Sequence, residues 1–287
     1  MSERRHRTAT TRSITVGPAR LTWVPDGVVQ LKPRGWFPDT TDRDWTAHDD
    51  LLDADGCLGA SVGSVLVERD GRAVLIDAGY GPLDLPDTSG PVVGAARGGD
   101  LVRNLRSLGW DPHQIEAIAI THLHNDHIGW AHTLHGGAPA FPAARIVLST
   151  TEWAHRADRL HQGVEQSMLD RMAPRVVTVA DGAEVCPGIR ALATPGHTPG
   201  HTSYVVDGGA ERAIVIGDAL HSRIQVTHPG WRSIPDTDPV ASEVSRRRLV
   251  AALAEPGTTG VAGHFADEVF GRVTAAADGH PTWEPVA

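Results

Sequence analysis

The sequence predicts an α/β (α+β) protein in which two similar β-rich halves, covered by helices, make one layered domain over residues 14–287. Short apolar runs of strand length alternate with amphipathic helical segments, and strand pairs joined by tight turns occur in both halves. No shift in composition marks a linker, and 40% hydrophobic with 21% charged residues suits a chain able to bury a full core.

Taken in order, residues 1–13 (MSERRHRTATTRS) are basic and lack the apolar centre of a secretory signal, so they read as a flexible tail. Residues 32–50 (KPRGWFPDTTDRDWTAHDD) are polar with interspersed Trp and read as a loop that covers a site or makes a subunit contact, as in a homodimer. In SVLVERDGRAVLIDAG (64–79) two β-rich runs flank Asp70-Gly71, a tight-turn pair, and the second run ends on Asp77. DLVRNLRSLGW sets Leu101, Leu105 and Leu108 at i, i+4, i+7, with Asp100 as N-cap and Gly109 as the stop. IEAIAITH is a short apolar run suited to a strand buried on both faces. RIVLST is a further strand, followed by a helix that opens on the capping-box spacing Ser149 to Glu152 and closes before Pro174. RVVTVADGAEVCPGIRALATPGH, HTSYVV and RAIVIGDALH read as strands separated by Gly and Asp turns. SEVSRRRLVAALAEPG is a helix with Val244, Leu249 and Leu253 on its apolar stripe, and TTGVAGHF supplies a last strand.

Charge and cysteine content narrow the partners. A net charge of −9 disfavours a broad phosphate-binding surface, so nucleic acid is excluded and a small-molecule substrate expected. No run approaches the ~20 apolar residues of a membrane span. Cys57 and Cys186 are too few for a disulfide framework, which fits a cytoplasmic protein.

The chemistry concentrates in THLHNDHIG (121–129), where three of the chain's 16 histidines and an aspartate occupy positions 122 to 127. Imidazole is a ligand for Zn, Fe, Ni or Cu, and carboxylate adds a harder oxygen. His122 and His124, two apart at a strand end, share a side; Asp126 and His127 follow where the chain turns. Four donors so close in sequence cannot comfortably surround one ion, so others must come from elsewhere. They stand at the ends of later apolar runs: His197 and His201 in ALATPGHTPGH, Asp218 and His221 in AIVIGDALH, and His264 in GVAGHF. The other nine histidines, His161 among them, lack such a setting and read as surface.

With H-x-H-x-D-H at 122–127 followed in order by His197, Asp218 and His264, the chain resembles the metallo-β-lactamase superfamily over roughly residues 58 to 270. The resemblance implies a four-layer αβ/βα sandwich with a metal site at the edge between two β-sheets. It implies His122, His124 and His197 on one ion, Asp126, His127 and His264 on a second, and Asp218 bridging. It also implies that Asp77 orients a ligand. Two divalent ions, zinc by default with manganese, cobalt or iron using similar donors, can hold a bridging hydroxide that attacks a carbonyl, which makes the chain a hydrolase. Asp126 and Asp218 are then ligands that also shuttle protons, and His221 is placed to bond a substrate carbonyl or leaving group. His201 reads as structural. TPGHTPGHTS and GDALHSRIQ are most similar to the branch of acyl-homoserine lactonases and methyl-parathion-type hydrolases, so a lactone or related ester is expected, with phosphotriesters as promiscuous substrates. Thioesterase, phosphodiesterase and iron-dependent oxidoreductase remain alternatives. Trp36, Phe37, Trp130 and Trp231 flank the expected mouth of the pocket.

Overall fold

Strand parity sorts the apolar side chains into layers. The computed structural model describes residues 2–135, 137–160, 162–276 and 279–286, which leaves His161 outside. It begins with β1 (Arg12–Val16), β2 (Ala19–Leu31), β3 (Leu58–Arg69), β4 (Arg72–Ile76), β5 (Leu83–Leu85), β6 (Val93–Gly98) and β7 (Ile115–Ala119). A ribbon of β8 (Leu134–His135) and β9 (Ala138–Pro139) intervenes before β10 (Arg145–Ser149) and β11 (Val176–Val179). These form a first sheet in the order β11-β10-β7-β4-β3-β2-β6-β5, with β1 on β2 and the ribbon apart. The second sheet takes β12 (Glu184–Cys186), β13 (Ile189–Ala193), β14 (Thr202–Asp207), β15 (Arg212–Val215), β16 (Thr258–Val261), β17 (Phe270–Ala275) and β18 (Pro281–Pro285) in sequence order. The α-helices are α1 (Pro33–Trp36), α2 (Asp42–Ala47), α3 (Leu101–Ser107), α4 (Asn125–His132), α5 (Thr150–Ala154), α6 (Gln166–Met172), α7 (Ile224–Thr227) and α8 (Pro239–Leu253).

On β3 and β4, Val65, Val67, Val74 and Ile76 join Ile189, Tyr204, Val206 and Val215 of the second sheet in one core between the sheets. The alternate residues Leu66, Ala73 and Leu75 face the other way and pack with Leu105, Ile128 and Leu169 of α3, α4 and α6. The far side of the second sheet does the same, as Ile214 and Val273 meet Val226 of α7 and Leu249 and Leu253 of α8. The result is a four-layer αβ/βα sandwich. Helices of seven residues such as α3 and α6 fall below the ~12–15 that hold alone in water. Burial at ~1.5–3 kcal/mol per large aliphatic side chain therefore keeps them in place.

Several expectations are corrected. Within the segment read as a flexible tail, residues 1–13, residues 4–12 are docked: Ala9 is buried, Arg12 begins β1, and Arg4, Arg7 and Arg12 all pair with the buried Asp267. The helix opening at Ser149 ends at Ala154 and is followed by a separate α6. Ser149 Oγ does accept from Glu152 N–H, but the Glu152 carboxylate turns inward and does not close the box. Asp100 caps α3 by position only; the Leu101 N–H goes to Asp26 Oδ1 at 2.9 Å. Residues 32–50 contain α1 and α2. Val244 lies outside the stripe of α8 at 53% exposure, while Ser245 and Arg246 are buried. Val244→Glu is therefore expected to shift stability by no more than about 0.5 kcal/mol, read as the denaturant midpoint. β1, β2, β5, β6, β8, β9, β17 and β18 have no counterpart in the sequence reading.

Candidate metal centre

Strand direction delivers the donors to one edge. β4, β7 and β10 are mutually parallel in the first sheet, as are β15 and β16 in the second, so their C-terminal ends open the same way. Asp77 follows β4; His122 and His124 follow β7; Asp126 and His127 form the first turn of α4; Asp218 follows β15; His264 follows β16. His197 and His201 sit in the turn between β13 and β14. The layout matches the general placement of ligands beyond the carboxyl ends of strands.

The seven expected donors converge in two overlapping groups. His122, His124, His197 and Asp218 form one and Asp126, His127, Asp218 and His264 the other, with the ligand atoms of each group within 4.8 Å of one another. Asp218 belongs to both because its two oxygens face apart. Oδ2 lies 3.6 Å from His122 Nε2 and 3.4 Å from His197 Nε2. Oδ1 lies 3.1 Å from both His127 Nε2 and His264 Nε2. Asp126 Oδ2 stands 3.4 and 3.5 Å from the same two nitrogens.

The outer nitrogens show that these residues fit a pair of cations. His127 Nδ1 donates to Asp77 Oδ2 at 2.9 Å, His197 Nδ1 to Asp236 Oδ1 at 3.1 Å, and His264 Nδ1 to the Ser61 carbonyl at 3.0 Å. His122 Nδ1 meets Thr121 Oγ1, whose own proton goes to Asp77, and His124 Nε2 meets Gln162 Oε1. With each outer nitrogen donating, each inner nitrogen presents a lone pair. His124 Nδ1 then faces His122 Nε2 at 2.8 Å and His197 Nε2 at 3.0 Å, acceptor against acceptor. His127 Nε2 and Asp218 Oδ1 are buried without any hydrogen-bond partner. A cation in each group reconciles that many lone pairs in one buried volume.

The two donor groups differ in charge balance. Burial, reinforced by neighbouring imidazoles, pushes His122 well below the usual histidine range and His124 down to about 3. Burial also disfavours charge on His127 and His264, yet the Asp218 carboxylate outweighs it and raises both. Burial opposes ionisation of Asp218 too, but His127 and His264 hold it well below the carboxylate range. The cluster is electronegative at its centre.

His221 joins the cluster as well, with Nε2 3.2 Å from Asp218 Oδ2 and Nδ1 2.9 Å from Ser233 Oγ. His201 stays outside: its Nε2 accepts the Asp218 N–H at 2.9 Å, and its Nδ1 bonds Thr194. Asp77 takes the orienting position at φ +62°, a strained backbone for a residue with a Cβ. The rest of the support was missed from sequence. Buried Glu152 accepts from Leu123 N–H, Gly200 N–H and Thr198 Oγ1, tying the 121–127 turn to the 197–201 turn. Asp236 holds His197 and receives the Ser233 N–H and Arg246.

A cavity of about 420 Å³ opens over the cluster. Val29, Leu31, Trp36, Ala60, Ile234 and Pro235 wall it, and His124, Asp126, Asp218, His221 and His264 line it as well. Of the four aromatics expected at the mouth only Trp36 lines it, edge-on to His221 with ring centroids 5.2 Å apart. Trp130 is buried in the helical layer with its N–H on Asp26, and Phe37 packs against Trp45 and Trp231.

The pattern of the metallo-beta-lactamase superfamily matches residues 59–264. An N-acyl homoserine lactonase of Bacillus thuringiensis is 32% identical over 109 residues, 37% of this chain and 39% of its own. The alignment thus spans about two fifths of the lactonase. Metallo-beta-lactamase domain-containing protein 1 of Xenopus laevis is 29% identical over 199 residues, 68% of this chain and 73% of its own. Among solved structures, AidC, a dizinc quorum-quenching lactonase, superposes with a TM-score of 0.83 at 24% identity, over 97% of this chain and 98% of that one. The hydrolase AbOPH gives a TM-score of 0.79, also at 24% identity, over 98% and 99%. At such identity the superpositions speak for the fold. With the family pattern running from β3 through all seven donors, the chain belongs to the metallo-beta-lactamase superfamily.

Proposed function

We propose that the chain is a dinuclear metal-dependent hydrolase that opens lactones or cleaves related esters. The observation that carries this reading is the division of the two Asp218 oxygens between two donor clusters at the floor of an apolar-walled cavity. His122, His124 and His197 would hold one ion, Asp126, His127 and His264 the other, and Asp218 both; zinc suits this donor set best. When bound, such a pair supplies a Lewis acid for the acyl oxygen and an activated water as nucleophile.

The chain's own residues supply the rest. Val29, Leu31 and Ile234 exclude water from an apolar acyl portion, and Trp36 closes one side of the cavity. Asp126 would hold its ion through Oδ2, the oxygen beside His127 and His264, and its other oxygen would take a proton from the attacking water and return it to the leaving oxygen. Burial opposes its ionisation, but His127 beside it holds the carboxyl down at about 2, so it starts deprotonated. With Nδ1 of His221 accepting from Ser233 Oγ, its Nε2–H faces Asp218 Oδ2 at 3.2 Å at the cavity wall, from where it would turn to the substrate carbonyl or the leaving oxygen once Asp218 is engaged by metal. Similarity to the N-acyl homoserine lactonases supports a homoserine lactone as substrate, and the two buried free thiols, Cys57 and Cys186, support a cytoplasmic setting. Among the described residues no helix is long and apolar enough to cross a membrane.

A hydrolysis panel on metal-analysed protein tests the reading. It sets acyl-homoserine lactones of several chain lengths against aryl esters, thioesters, a phosphotriester and a cephalosporin. Turnover should concentrate on lactones, vanish when the metal is stripped and return with Zn²⁺. Preference for thioester or phosphotriester would move the chain to another branch, and turnover that survives stripping would remove the metal from the mechanism.

A further inference from the structure

The residues that hold His264 carry an inference that rests on the dinuclear reading above. The turn after β16 bears His264 and, two residues on, Ala266 at φ +49°, a left-handed conformation disfavoured for a residue with a Cβ. Such a backbone persists where its surroundings over-determine it. Here those surroundings come from the first dozen residues of the chain.

Asp267 N–H donates to the Arg4 carbonyl at 3.1 Å, and the Arg4 guanidinium donates back to the Asp267 carbonyl at 2.7 and 3.0 Å. The Asp267 carboxylate, with none of its surface exposed, accepts from Arg12 at 2.9 and 3.1 Å, from Thr10 N–H at 3.1 Å and from Arg7 Nε at 3.2 Å. Arg5 adds an ion pair to Glu268 at 3.8 Å. Between them, Ala9 N–H donates to Ser61 Oγ at 2.7 Å, and Ser61 Oγ donates to the Ala266 carbonyl at 3.0 Å. The carbonyl of the same Ser61 accepts the His264 Nδ1 proton at 3.0 Å. Ser61 thus joins three things: the N-terminal segment through its hydroxyl, the strained turn through the same hydroxyl, and the imidazole through its carbonyl.

We infer that residues 4–12 are a clasp that positions His264 and so sets the affinity of the Asp126–His127–His264 metal site without acting on the other. The asymmetry follows from the contacts. The outer nitrogens of His122, His124 and His197 rest on Thr121, Gln162 and Asp236, which belong to other parts of the fold. Ser61, Arg7 and Arg12 are positioning residues for a ligand, at one remove from the site.

The test is a Zn²⁺ titration of metal-stripped full chain against a chromophoric chelator, with metal per chain, the two stepwise constants and the melting temperature of the metal-free form as readouts. Visible absorption of the Co²⁺-loaded chain reports the geometry of each site. Ser61→Ala, which keeps the carbonyl on His264, and the double variant Arg7→Ala/Arg12→Ala should each weaken one stepwise constant about 10- to 100-fold and leave the other within about twofold. Arg34→Ala, which breaks an exposed pair with Asp42, should change neither. If Ser61→Ala fails to fold, the arginine pair reads the same quantity from partly exposed positions. Equal constants in variant and wild type overturn the clasp, as does a parallel fall of both constants with the metal-free melting temperature. A wild-type chain that binds fewer than two ions overturns the dinuclear reading and the clasp with it.

Discussion

Asp218→Ala is expected to lower kcat/KM for the preferred lactone by about 10³-fold or more, a loss of ~4 kcal/mol in transition-state stabilisation. The carboxylate stands in both donor groups, so its removal takes one oxygen from each and leaves the Nε2 atoms of His127 and His264 facing a void. Bound metal should drop below two per chain, measured by elemental analysis alongside far-UV circular dichroism. Asp218→Asn keeps the shape but sets one amide nitrogen, a donor, toward one of the two clusters. It should retain one ion better than alanine does and remain at least about a hundredfold impaired, since losing a direct anionic ligand costs more than losing an outer contact. An alanine variant that keeps full turnover with its fold intact would mean that the reaction does not pass through this cluster.

The residues that hold charge were more legible than those that hold them in place. His122, His124, His197, Asp218 and His264 each end an apolar run, and parallel strands carry such ends to a common edge, so local pattern is enough to find them. The alternation in β3 and β4 likewise encodes which side chains enter the inter-sheet core. Glu152 shows where local pattern misleads. Its spacing from Ser149 is that of a capping box, but the carboxylate bonds the Leu123 N–H, 29 residues away, and the Gly200 N–H, 48 residues away. Nothing in the neighbouring sequence encodes those partners. β2 was missed for a different reason: Pro25-Asp26-Gly27 interrupts the alternation, and the structure places a bulge between Pro25 and Gly27 there. Asp236 stands in a polar turn with no apolar run before it, so a rule based on strand ends passes over it.

The bulge in β2 carries the second large expectation. Asp26 is 1% exposed and accepts at both oxygens: Oδ2 from Tyr80 N–H at 2.8 Å and Gly81 N–H at 3.1 Å, Oδ1 from Gly99 N–H at 3.0 Å, Leu101 N–H at 2.9 Å and Trp130 Nε1–H at 2.7 Å. It therefore ties β2 to the loop after β4, the start of α3 and the helix α4 that bears Asp126 and His127. That approach is close: a Cβ on Gly129 of α4 would lie 1.8 Å from the Tyr80 carbonyl carbon. Asp26→Ala strands several buried donors at ~1–3 kcal/mol each, so a loss of at least about 3 kcal/mol is expected even with partial relaxation. In a domain of this size that is a fall of ~6 °C or more in Tm. Asp26→Asn separates shape from hydrogen bonding. Because N–H groups face both oxygens, an amide must turn its own donor toward one set, and the variant should be destabilised nearly as much as alanine. Chemical denaturation of the two variants and wild type, all stripped of metal, measures this without contribution from bound ions. An asparagine variant as stable as wild type would show that the space around Asp26, and not its acceptors, is what joins α4 to the sheet.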